Sequence, residues 1–162
     1  MAEIDSTLLN QYFTYKDGEL YNKKPRQRVI VGQKLGYVTN SDGYIKLGFN
    51  NKYYMVHRLI FMMHYGYIPE RIDHIDGNPA NNRIENLREV TNTQNCQNSK
   101  KRTTNTSGYK NVHWRKDRSK WRVDIMINGK DVHFGSYDDI ELADLVATEA
   151  RDKYFGKFAR HK

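Results

Sequence analysis

The sequence predicts an α+β protein built from several small antiparallel sheets, with helices packed beside them. Three observations predict this. Tight-turn dipeptides (Asp17-Gly18, Asp42-Gly43, Asn50-Asn51, Asn128-Gly129) separate short runs rich in Tyr, Ile and Val, which is the pattern of hairpins. Two other stretches, beginning near Val56 and Ala143, carry apolar residues at helical spacing. Finally, 38% of the 162 residues are hydrophobic and 12% are aromatic. That is too little for one large core, yet far from the aromatic-poor composition of a disordered chain.

Residues 10–56 read as short strands between turns. FTYKDGELY folds back at Asp17-Gly18; a basic patch of Lys23, Lys24, Arg26 and Arg28 follows, then the Val-rich VIV; GYVTNSDGYIKLGFNNKYYMV continues as a meander. From Val56 the period changes. Val56, Leu59, Ile60 and Met63 follow the i, i+3, i+4, i+7 spacing of a helix with one buried face, and Gly66 stops it. His57 and His64 lie seven apart here, and with no third ligand at suitable spacing they read as packed or surface histidines rather than a metal pair. Residues 72–98 read as strand, Asn/Gly/Pro-rich loop, short strand (NLREV) and polar helix, with Thr91 or Asn92 as its cap.

Residues 101–108 are polar and basic and form the candidate linker. Beyond them YKNVHWRK, KWRVDIMI and KDVHFGSY read as three strands, the last two joined at Asn128-Gly129. Asp138 with Glu141 forms a candidate capping box. Ala143, Val146, Ala147, Ala150 and Tyr154 mark the apolar face of a closing helix that ends at Gly156. The expected organisation is residues 1–100, a linker at 101–108 and a C-terminal module at 109–162.

The formal net charge is +8, which points to an anionic partner. It is unevenly spread: residues 71–100 are neutral, whereas 101–123 hold eight Lys/Arg against one Asp, interleaved with Tyr109, Trp114 and Trp121. Cations mixed with aromatics suit phosphate recognition; a solvated linker is the other reading of the same run. The single cysteine, Cys96, excludes an intrachain disulfide and a cysteine-based zinc cluster. No apolar run reaches membrane-spanning length and the N-terminus lacks a signal-peptide core, so the expectation is a cytoplasmic protein without a membrane partner.

Asp73, His74 and Asn95 carry the candidate chemistry. Phosphodiester hydrolysis needs a base to take a proton from water and positive charge to offset that gathering on the phosphate. A histidine near pKa 6.5 suits the first task. A carboxylate with an amide carbonyl offers hard oxygen ligands for Mg²⁺. Adjacent strand residues point to opposite faces, so Asp73 and His74 can serve one point only if the strand ends there, which the loop from Asp76-Gly77 permits. Asn/Asp-rich loops are common, and the residues alone leave a structural loop as the alternative.

The stretch His57-Arg58-Leu59, Asp73-His74-Ile75-Asp76-Gly77, Asn81-Asn82-Arg83-Ile84-Glu85-Asn86-Leu87-Arg88 and Asn95 with Asn98 resembles the HNH nucleases, in the His-Asn-Asn variant of phage homing endonucleases. The resemblance implies a central ββα-metal motif over about 70–100. His74 is then the general base, Asp73 and Asn95 are the ligands of one divalent cation, and Asn86 holds the loop and orients His74. Asn95 offers oxygen rather than imidazole nitrogen, which favours Mg²⁺, with Mn²⁺ able to substitute, and no zinc. Residues 10–70 resemble the sheet-and-helix region that precedes this motif in such enzymes. Residues 107–160 resemble the Apetala/ethylene-response-factor DNA-binding domain, a three-stranded sheet on one helix, which implies contacts from Lys110, His113, Arg115, Lys120, Trp121 and Arg122; Lys116, in the same basic run, is a further candidate phosphate contact. Lys110-Asn111 and Met126 depart from that family's pattern, and Trp121 reads equally as a core residue beneath the sheet.

These readings lead to a site-specific endonuclease acting on double-stranded DNA, nicking one strand as a monomer, with a dimer as the route to double-strand cleavage. A DNA-binding protein with an inactive HNH scaffold and a structure-specific nuclease are the rival readings.

Overall fold

Hairpins and two helical stripes account for most of the observed architecture. The computed structural model describes residues 4–25, 28–39, 42–99, 101 and 103–161. By internal contacts the chain divides between Val90 and Thr91, upstream of the 101–108 stretch read as a linker.

The first unit opens on α1 (Ser6–Tyr12), capped by the Asp5 carboxylate accepting from Leu8 N–H. The strand reading from residue 10 therefore fails at its start. Seven residues with one fully buried side chain, Leu9, are too few to show a period. β1 (Phe13–Lys16) and β2 (Glu19–Asn22) pair through the Asp17-Gly18 turn, and β3 (Lys34–Leu35) adds to β2. Of the VIV run, Ile30 and Val31 lie exposed outside any strand. β4 (Tyr37–Val38), β5 (Ile45–Phe49) and β6 (Lys52–Met55) form a second antiparallel sheet, with Asn50 and Asn51 both in the left-handed conformation of a tight turn.

α2 (Val56–Tyr65) ends at Gly66, whose φ of +80° makes it the left-handed stop. Its buried Val56, Leu59, Ile60 and Phe61 pack with Leu9, Phe13, Leu20, Leu47, Phe49 and Leu87 in one core. β7 (Ile72–His74) and β8 (Leu87–Glu89) pair antiparallel, placing Asp73 opposite Arg88 and His74 opposite Leu87. One turn of 3-10 helix at Ile84–Asn86 leads into β8.

The second unit begins with α3 (Asn92–Gln97). Thr91 caps it in a full capping box with Gln94. β9 (Val112–Arg115), β10 (Lys120–Ile127) and β11 (Lys130–Tyr137) form a sheet in the order β11-β10-β9, and Asn128 and Gly129 both take positive φ in the β10–β11 turn. α4 (Ile140–Phe155) packs on one face of that sheet through Ala143, Ala147, Ala150 and Phe155 against Val112, Val123 and Ile125. The cap of α4 is Asp139, accepting from Glu141 and Leu142 N–H. Asp138, expected in that role, pairs with Lys120 instead. The three-stranded sheet on one helix matches the expected C-terminal architecture.

Candidate active site and nucleic-acid interface

β7 ends at His74, and the chain turns at once, with Gly77 N–H donating to His74 O at 2.8 Å. The loop that follows is fixed by its own amides. Asn86 Nδ2 donates to Asp76 Oδ1 at 3.0 Å and to Asn81 O at 2.8 Å, while Asn86 Oδ1 accepts from Asp76 N–H at 3.0 Å. Asp76 also accepts from Asn78 N–H and Asn81 Nδ2. Burial pushes the Asp76 carboxyl up, but these bonds from Asn78, Asn81 and Asn86 outweigh it and hold it below the usual value.

His74 is buried. Its Nε2 lies 2.9 Å from Asn82 Oδ1, and its ring lies 5.2 Å from that of His57 and 5.8 Å from that of Tyr44. An amide oxygen only accepts, so the facing Nε2 donates, and in a neutral ring Nδ1 is then the acceptor nitrogen. That is the tautomer a general base needs. Asp73 is buried against its cross-strand neighbour: Oδ2 accepts from Arg88 Nε at 3.0 Å and Nη2 at 2.8 Å, a charge-assisted fork. His57 is also buried, packed on Tyr44 and His74, and burial, with the charges of His74 and Arg58, drives its pKa down to about 3. His64 Nδ1 donates to Ile60 O at 2.8 Å and its ring sits edge-on to Tyr15 at the surface, so the two histidines, one packed and one exposed, lie at separate places. Tyr15 in turn accepts from Ile84 N–H at 3.0 Å, buttressing the loop from the first sheet.

Asn95 lies half-buried on α3, in the second unit. The donors assigned by resemblance, a carboxylate and an amide, are both hard oxygens and fit a Mg²⁺-class ion. Among the described residues no group of three or more His, Cys, Asp or Glu is arranged to hold a metal, so one carboxylate plus an amide is the set to test.

Of the basic patch, Lys23 Nζ donates to Asn10 O, Lys24 lies over the Tyr12 ring and Arg28 is exposed with positive φ; Arg26 falls outside the described residues. In the C-terminal sheet, alternation separates two faces. Trp121 is half-buried on the side of buried Val123 and Ile125 and packs with Trp114 and against the core. Lys120 and Arg122 take the other face, with His113 and Arg115 across from them on β9. Each cation there has a carboxylate partner: Arg115 with Asp117 at 2.9 Å, Lys120 with Asp138 at 2.9 Å, Arg122 with Asp124 at 2.7 Å. The exposed pairs of Arg115 and Lys120 are worth about 0–1 kcal/mol, so phosphates can replace them cheaply, whereas the partner of Arg122, Asp124, is recessed. Lys116 is exposed in the β9–β10 turn. Lys110 is placed differently: Nζ donates to Gln97 O, Ser99 O and Arg160 O at 3.2, 2.6 and 3.0 Å. Burial, with Arg151 and Arg160 nearby, pushes its pKa down to about 8. It clamps the end of α3 to the C-terminal module.

Sequence reasoning assigned no role to Asn82, Arg88, Tyr44 or Asp124. Asn82 lay in plain view in the Asn81-Asn82 pair, but nothing in the letters distinguishes the amide that meets His74 from the one that braces the loop.

A buried histidine held by an amide at a strand end, with a carboxylate beside it and an Asn-braced loop, makes up the candidate centre. An HNH endonuclease family model matches residues 54–97, the span that contains it. The chain is 40% identical over 91 residues to Protein 3.8 of Escherichia phage T7, an overlap of 56% of this chain and 74% of that protein. It belongs to the HNH endonuclease family, and its domain is that of a nuclease. No solved structure gives a significant match. Among the described residues, no helix is long and apolar enough to cross a membrane.

Proposed function

We propose that this nuclease is a site-specific homing endonuclease that nicks one strand of double-stranded DNA. The observation that carries the reading is the His74–Asn82 contact: a buried imidazole whose tautomer leaves Nδ1 to accept a proton, within the HNH region. His74 takes the proton from the attacking water. Asn86 keeps the loop beyond β7 in shape through Asp76 and Asn81. Asp73, oriented by Arg88, and Asn95 hold one divalent cation, Mg²⁺ or Mn²⁺, which supplies positive charge against the phosphate when bound. The outer face of the C-terminal sheet, with His113, Arg115, Lys120 and Arg122, and the turn residue Lys116 grip the duplex; Lys23, Lys24, Arg26 and Arg28 add a second basic contact. One HNH region per chain supports a single-strand cut by a monomer.

Plasmid relaxation tests the reading. Wild type with Mg²⁺ is expected to convert supercoiled DNA to open circles, with His74→Ala and Asn95→Ala losing that conversion while still retarding DNA in a gel. Supercoiled DNA left intact by wild type as well as by His74→Ala, with binding retained, would leave only a DNA-binding protein on an inactive HNH scaffold.

A further inference from the structure

A recessed carboxylate organises the outer face of the C-terminal sheet. Asp124 stands on β10 between Arg122 and Met126, opposite the buried Val123 and Ile125. Its cross-strand neighbour on β11 is His133, and His113 on β9 is paired with Arg122. Asp124 Oδ2 lies 2.7 Å from Arg122 Nε and 2.8 Å from His113 Nε2, and Oδ1 lies 3.1 Å from His133 Nδ1. Side chains from three adjacent strands thus converge on one carboxylate, His133 by a hydrogen bond and Arg122 and His113 at ion-pair distance. The Asp124 side chain is 17% exposed, against 34% for Arg122, 48% for His113 and 44% for His133. It is the base of the cluster, and its three partners are the tips.

A carboxylate on a surface that grips a polyanion weakens that grip unless it does something else. Here it fixes geometry. The hydrogen bond to His133 Nδ1 orients that ring and leaves its Nε2 outside the contact, while His113 is held by Nε2 at 2.8 Å, with Nδ1 on the far side of its ring. The carboxylate engages Arg122 through Nε, leaving the two terminal guanidinium nitrogens outside that contact; paired guanidinium donors of this kind fork onto guanine O6 and N7. Side chains immobilised in this way discriminate between base edges better than mobile ones.

We propose that Asp124 is a positioning residue for sequence readout, locking Arg122, His113 and His133 into one reading head for base edges in the major groove of double-stranded DNA. The proposal rests on the C-terminal module being the DNA-binding module of the enzyme. His133 thereby joins the contact set, and discrimination at the centre of the site comes from four residues acting together.

The test uses the full chain in EDTA, so that no strand is cut. Wild type first selects duplexes from a pool with a randomised core. Affinity is then measured for the selected duplex and for a shuffled duplex of the same composition, with wild type, Asp124→Ala, Asp124→Asn and His133→Gln. Asp124→Ala is expected to bind the shuffled duplex as tightly as wild type or more tightly, while the selected-to-shuffled ratio falls at least tenfold. Asp124→Asn, which keeps one acceptor oxygen, falls between. His133→Gln, at an exposed side chain, lowers the ratio with no change in melting temperature, which keeps the test decisive if the Asp124 variants fold poorly. An unchanged ratio with both affinities rising together overturns the proposal, because Asp124 then acts only by repulsion. Binding by wild type with no sequence preference overturns it too. Failure of wild type to bind any duplex removes the DNA-binding reading itself, a separate result.

Discussion

His74 Nε2 and Asn82 Oδ1 face each other at 2.9 Å, with both residues buried. Under the proposed mechanism the contact sets which imidazole nitrogen acts as base, which makes Asn82 a positioning residue. Partners of this kind are worth roughly 10–100-fold in activity. Asn82→Ala is expected to lower the nicking rate by about that factor at pH 7.5 with the affinity for DNA unchanged. Asn82→Asp keeps an acceptor and should recover much of the rate. Equal rates for wild type and Asn82→Ala would show that the tautomer is set elsewhere.

The loop that carries Asn82 is braced from the first hairpin, at a position only glycine can occupy. Gly18 has φ +85°, and a Cβ built there lies 2.7 Å from Arg83 N and 3.0 Å from Asn82 C. Gly129 has a similar φ of +78° but nothing within 4 Å. Gly129→Ala therefore measures backbone strain alone, about 1 kcal/mol. Gly18→Ala adds a collision with the backbone next to Asn82 and is expected to cost at least about 2 kcal/mol in urea unfolding, and to slow nicking. Equal costs for the two variants would show that the hairpin and loop are not tightly apposed.

Much of this architecture was legible because local signals agreed with tertiary packing. The stripe of Val56, Leu59 and Ile60 with Gly66, and the Asn128-Gly129 turn between alternating strands, needed no long-range information, whereas Phe61 is buried in place of the expected Met63. Other features depended on contacts the letters do not encode. Asp138 and Asp139 are equally good caps by type, and only Lys120 on β10 draws Asp138 away. Lys110 lies within a basic run, yet three backbone carbonyls take its ammonium. The carboxylate and histidine of the candidate site stood out from the family pattern, while their partners Arg88 and Asn82 required cross-strand register and loop closure to appear.

The depressed pKa of His57 has a consequence for stability against pH. In the folded chain it protonates near 3, because burial and then the charges of His74 and Arg58 disfavour the cation; unfolded, it protonates near 6.5. Between those values the unfolded chain binds the extra proton, so stability falls as pH drops from about 6.5 towards 3. The slope is about 1.4 kcal/mol per pH unit for one proton. His57→Phe keeps an aromatic ring against Tyr44 and His74 and removes the titration. Urea unfolding at pH 7 and pH 5 should show wild type losing more stability than His57→Phe on acidification. Parallel losses would mean that His57 is protonated in the folded chain.

Two lysines of the basic run should separate in a salt titration. Lys116 is exposed in the β9–β10 turn, where a phosphate contact releases counterions and contributes about 0.9 to the slope of log affinity against log salt. Lys110 spends its three donors on Gln97, Ser99 and Arg160 carbonyls, and Arg151 Nη1 donates to the Lys110 carbonyl at 2.7 Å from α4. Its role is to hold the end of α3 against the module. Lys116→Ala should flatten the slope by about one phosphate and leave the melting temperature unchanged. Lys110→Met should keep the slope and lower the melting temperature, since it strands three carbonyls at about 1 kcal/mol each or somewhat more. A flattened slope for Lys110→Met, with stability intact, would return its ammonium to the DNA.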